Sequence, residues 1–101
     1  MAERVIVYWR DIPSQVILKK GRLKGKALLN EKFQEAIDKA AIRAGKAGTD
    51  DYVAEWHRVT SEVEVGADLD EAARQEVAAL EAQFPEEVLE QIIRNGGVIT
   101  A

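Results

Sequence analysis

The chain has 101 residues, 47% of them apolar and 32% charged, which is the balance of one folded domain, 1–101, rather than of a disordered tail. It contains no cysteine, which excludes disulfides, thiol catalysis and cysteine-ligated zinc, and no apolar run approaches the roughly 20 residues of a membrane span. The net charge of −4 divides unevenly: residues 1–46 carry eleven Lys/Arg and five Asp/Glu, residues 47–101 three and thirteen.

Arg4–Arg10 is rich in β-branched and aromatic residues, and Val16–Leu18 repeats that composition, so both read as strands. Asp11-Ile12-Pro13-Ser14 between them reads as a four-residue turn, Pro13 fixing its own φ and biasing Ile12 toward extended geometry. Alternation puts Val5, Val7 and Trp9 on one face of the first strand and Ile6, Tyr8 and Arg10 on the other. Both faces are largely apolar, which predicts a central strand covered by helices on at least one side.

Lys19, Lys20, Arg22, Lys24 and Lys26 crowd a segment punctuated by Gly21 and Gly25, read here as a basic loop. It lacks the Gly-Lys-Ser/Thr ending of a phosphate-binding loop, yet its cations suit a polyanion or nucleic acid, a use that the overall acidity opposes. Asn30 caps a helix whose apolar stripe is Phe33, Ala36, Ile37, Ala40, Ala41 and Ala44, with Gly45 ending it. Thr49 or Asp50 starts a short helix over Asp51–Trp56, with Tyr52, Val53 and Trp56 to one side.

Arg58–Val65 alternates Val59, Ser61, Val63 and Val65 against Thr60, Glu62 and Glu64, the pattern of a half-exposed third strand or of a loop with the same composition. Asp68 and Glu71 form a capping box ahead of a helix that ends at Phe84. Pro85 opens a last helix carrying Val88, Leu89, Ile92 and Ile93, and Asn95-Gly96-Gly97 closes it. Val98-Ile99-Thr100 offers a further strand edge. The fold class is therefore α+β: a two- or three-stranded antiparallel sheet, led by the N-terminal hairpin, packed by three to four helices.

No residue pattern supplies a catalytic constellation. His57 is the only histidine and has no spaced nucleophile or second ligand, so neither catalysis nor a metal site is expected. Capping accounts for Asp68 and Glu71, and the other carboxylates read as solvated. No catalytic residue, metal or cofactor is assigned. Trp9, Arg10 and Asp11, with Tyr52 and Trp56, have two readings. They are either a core contact between the hairpin and the short helix or an aromatic and arginine anchor for a protein partner.

The stretches VIVYWRDIPSQVILKKG, EKFQEAIDKAAIRAG and GTDDYVAEW, with the closing RNGG, resemble a small bacterial domain family called "virulence factor". That family is named for a staphylococcal conserved virulence factor, in which a similar domain accompanies helical repeats. The resemblance implies no catalytic motif. It implies an accessory protein, stand-alone in proteobacteria, associated with folate- and corrinoid-linked one-carbon enzymes. The combined expectation is a cytoplasmic protein without activity of its own that binds another protein. One alternative is a subunit of a methyltetrahydrofolate-handling enzyme, and another is polyanion binding through residues 19–26.

Overall fold

The alternating apolar residues of Ala2–Trp9 (β1) build the centre of a sheet in the computed structural model, which describes residues 1–99, Thr49 by its backbone alone. β1 is flanked by Ile12–Lys20 (β2) and Trp56–Val63 (β4), and Leu23–Leu28 (β3) lies outside β2. The order is β3-β2-β1-β4, antiparallel throughout. The helices are Glu31–Arg43 (α1), Thr49–Ala54 (α2), Leu69–Ala82 (α3) and Glu86–Arg94 (α4).

The expected α+β class is present, with β1 central as anticipated, but the described residues form four strands rather than two or three. The extra strand is the segment read as a basic loop. Only Gly21 and Arg22 turn; Lys19 and Lys20 end β2, and Lys24 and Lys26 belong to β3. The third strand read over 58–65 is β4, which both starts and ends two residues earlier, at Trp56 and Val63. The first connection is also shorter than a four-residue turn. Ile12 and Pro13 lie in β2, and Arg10 and Asp11 alone reverse the chain. Pairing slips between Val7↔Gln15 and Tyr8↔Pro13, leaving Ser14 as an extra residue. Such a bulge adds local twist and lets proline enter a strand. Val98 and Ile99 form no strand, and Thr100 lies outside the described residues.

The helices cover one sheet face. Phe33, Ala36, Ile37, Ala40 and Ala41 of α1, Ala73, Val77 and Leu80 of α3, and Leu89 and Ile92 of α4 close over Ile6, Val16 and Leu18. Phe33 meets Phe84 edge to face at 6.0 Å. α3 packs on β3 and β2, and α1 on β2 and α4, so the helical layer is displaced from β4.

The caps of α1 and α3 follow the sequence, whereas α2 spans Thr49–Ala54 behind Gly48 rather than Asp51–Trp56, and Trp56 opens β4. Asn30 accepts a hydrogen bond from the Lys32 amide, Asp68 accepts one from the Glu71 amide, and Gly45 takes φ +71° just beyond α1. The Glu71 carboxylate pairs with Arg74 at 2.6 Å. α3 stops at Ala82 rather than Phe84, and Pro85 is the N-cap of α4 rather than a residue of its first turn.

Candidate functional site

Three stretches of sequence converge where β1 ends. Trp9 is wholly buried, and its Nε1–H donates to the Tyr52 carbonyl at 2.9 Å while its ring stacks on Tyr52 at 5.8 Å. Tyr52 in turn meets Trp56 edge to face at 5.9 Å. Trp9 packs into the main core with Ile6 and Ile12 rather than into the small cluster of Val5 and Val7.

Arg10 sits at φ +52°, a left-handed conformation that costs a non-glycine residue about 1–2 kcal/mol. Its surroundings hold it there. Its amide donates to the Glu55 carbonyl at 3.1 Å, and its Nε–H donates to the Glu55 carboxylate at 3.1 Å. Nη1 donates to the Gly96 carbonyl at 3.0 Å, and the guanidinium lies 5.5 Å from the Trp9 ring. His57, stacked on Tyr8 at 5.5 Å, donates from Nε2 to the Arg10 carbonyl. Asp11 completes the junction. Its amide donates to the Gly97 carbonyl at 2.8 Å and its carboxylate accepts from the Ile99 amide at 2.7 Å.

Gly96 and Gly97 adopt φ +73° and +97° after α4. A Cβ on Gly97 would lie 2.7 Å from the Trp9 ring, so only glycine lets the chain pass across that face. In the sequence these glycines read as a helix cap, and neither their contact with the hairpin nor the part played by Glu55 is signalled there. No local signal links residues more than eighty positions apart.

Of the five residues weighed as an aromatic and arginine anchor, Trp9 is therefore core, and Arg10 and Asp11 tie the hairpin to α2, β4 and the α4 terminus. Tyr52 and Trp56 are half-buried. Trp56 alone extends the group to the opposite side of the sheet, packing against Val5, Val7 and Ile17.

That opposite face carries no helix. Alternation and register place on it Lys24, Lys26 and Leu28 of β3, and Gln15, Ile17 and Lys19 of β2. Glu3, Val5 and Val7 of β1 and Trp56, Arg58, Thr60 and Glu62 of β4 complete it. Val5, Val7 and Ile17 form a small apolar cluster without any helix residue. Leu28 is 69% exposed, and a cleft of about 330 Å³ is lined by Val7, Ser14, Gln15, Trp56, His57 and Arg58.

Lys19, Lys24 and Lys26 thus share one face with Arg58, whereas Lys20 pairs with Leu23 on the other and Arg22 sits in the turn. Gly25 is not a phosphate cradle. A Cβ there would lie 2.4 Å from the Leu69 backbone, so it marks the close approach of α3 to β3.

Burial pushes the Tyr8 phenol above its ordinary pKa, with Arg4 opposing and Asp11 assisting. Among the described residues no group of His, Cys, Asp and Glu is arranged to hold a metal ion, and no helix is long and apolar enough to cross a membrane.

Together these features define a small α+β domain, a four-stranded antiparallel sheet with helices on one face and a polar-rimmed apolar face on the other. A family model described as "Virulence factor" matches residues 7–93, and the chain belongs to that family. No curated protein and no solved structure matches it significantly.

Proposed function

We propose that this chain is a cytoplasmic accessory domain without catalysis of its own, and that it binds another protein through the helix-free face of its sheet. The observation that carries the reading is the composition of that face. Half-buried Trp56 and exposed Leu28 flank an apolar cluster, with Lys19, Lys24, Lys26 and Arg58 around it. Tryptophan and arginine are the residues most enriched where binding energy concentrates, and a cationic rim selects an acidic partner surface. The junction at Trp9 and Arg10 supports this surface indirectly, by fixing α2 and hence the orientation of Trp56.

The test is a native pull-down with the wild-type chain, Trp56→Ala and Lys24→Glu/Lys26→Glu, each checked for folding by circular dichroism. The reading expects a partner captured by the wild type and lost from both variants. Capture that is indifferent to both would refute it. A folate- or corrinoid-linked enzyme among the captured proteins would support the one-carbon subunit reading, which rests on the family resemblance.

The presence of Lys19, Lys24, Lys26 and Arg58 on one face, beside Glu3 and Glu62, also favours a second reading, polyanion binding on the same face. Neutralising phosphates makes affinity fall steeply with salt. Titration with single-stranded DNA at low and at physiological salt separates the two, because absent or salt-independent binding removes the polyanion reading.

A further inference from the structure

We propose that the chain self-associates through the free edge of β4, which pairs antiparallel with β4 of a second copy about a two-fold axis at Thr60. The product is one continuous eight-stranded sheet.

β4 hydrogen-bonds to β1 on one side only. Its inward residues are identified by the bond from the Arg10 amide to the Glu55 carbonyl, which continues the β1–β4 register one step beyond Trp9↔Trp56. Hydrogen-bonded and non-hydrogen-bonded pairs alternate along an antiparallel ladder. Glu55, His57, Val59, Ser61 and Val63 therefore bond to β1, and the main-chain groups of Trp56, Arg58, Thr60 and Glu62 point outward from the free edge.

A two-fold axis at Thr60 makes the hydrogen-bonded pairs from outward-directed residues: Thr60 with its own copy, and Arg58 with Glu62 on both sides of the axis. Both charge pairs are thus complementary, and the contact closes on itself as an isologous interface must. Among the described residues neither Arg58 nor Glu62 has an ion-pair partner within the chain.

The other sheet edge has no such pattern. A two-fold axis at Gly25 of β3 would oppose Lys24 to Lys26, and Gly25 is already pressed against α3. On the helix side, the displaced helical layer leaves Val59 47% exposed beside a cleft of about 340 Å³ that also includes Tyr8, Leu80, Phe84 and Ile99. The proposed register sets Val59 opposite Ser61 of the second copy and diagonal to its Val59, which gives that apolar side chain new cover.

Sedimentation velocity over a dilution series reads the result directly. The wild type is expected to reach twice 11.2 kDa as concentration rises. Arg58→Glu, which opposes like charges twice, should return it to 11.2 kDa at the same concentration, and the double exchange Arg58→Glu/Glu62→Arg should restore the dimer. Thr60→Pro removes an outward amide while sparing the β1 ladder, and should give a monomer with an unchanged circular dichroism spectrum. A wild type that stays monomeric throughout overturns the proposal. So does a dimer unmoved by Arg58→Glu and Thr60→Pro, or one that the double exchange does not restore.

Discussion

Arg10 occupies a backbone conformation in which glycine would be more comfortable, and its side chain explains why glycine is not there. The guanidinium joins Glu55, Gly96 and the Trp9 ring across three segments, and these partly exposed contacts together contribute about 2 kcal/mol. Arg10→Ala is expected to lower stability by about 2 kcal/mol in urea unfolding, because it keeps the left-handed strain and loses the contacts. Arg10→Gly should be less damaging by about 1 kcal/mol, because it relieves that strain. Gly97→Ala forces a Cβ against the Trp9 ring at positive φ and should cost more than 2 kcal/mol by the same measurement. For Tyr8 the sign of the linkage is set by burial of the neutral phenol. Above pH ~10 the unfolded chain releases the proton first, so Tyr8 contributes stability below that pH and the contribution is lost as pH rises through the raised native value. Tyr8→Phe should flatten that alkaline decline. The sequence already showed Tyr8-Trp9-Arg10-Asp11 as a strand end, since composition and Pro13 are local signals. It could not show that Trp9 is buried or that Arg10 reaches Gly96, because both depend on the chain's return from α4.

β3 is the element that reading by pattern passed over. Its alternation of Lys24, Lys26 and Leu28 against Gly25 and Ala27 puts long charged residues on one face and small ones on the other, which resembles a solvated loop more than a strand. The reason for the small residues lies in α3, whose first turn approaches the backbone at Gly25 too closely for any side chain. Gly25→Ala should therefore separate β3 from α3 and destabilise the fold by about 3 kcal/mol, detectable as a lowered urea midpoint. The helices were legible for the opposite reason. Asn30, Asp68, Gly45 and the apolar stripes act within a few residues of themselves, and the structure retains each in its expected role. β4 was legible as alternation, but its place at the free edge beside β1 was not, because pairing order is decided by tertiary packing.

In the whole molecule, the opposite charges of the two halves of the sequence meet in particular places. Arg4 pairs with Glu76 at 3.0 Å and Arg10 with Glu55 at 3.1 Å, each joining the basic half to the acidic one. Such half-exposed pairs contribute at most about 1 kcal/mol each, so they orient the layers more than they hold them. Among the described residues Lys19, Lys24 and Lys26 make no ion pair on the helix-free face, although Glu3 stands opposite Lys19, and the face also carries Trp56 and Leu28. In the proposed binding mode Trp9 and Arg10 support this surface and Trp56 anchors the partner. The measurement that bears on it most directly is capture of the native partner by Trp56→Ala, set beside a control substitution on the far side of the helices, Glu87→Lys. Partner lost from Trp56→Ala and retained by the control is the predicted result. A partner retained by a folded Trp56→Ala chain would contradict the assignment of the binding surface to this face.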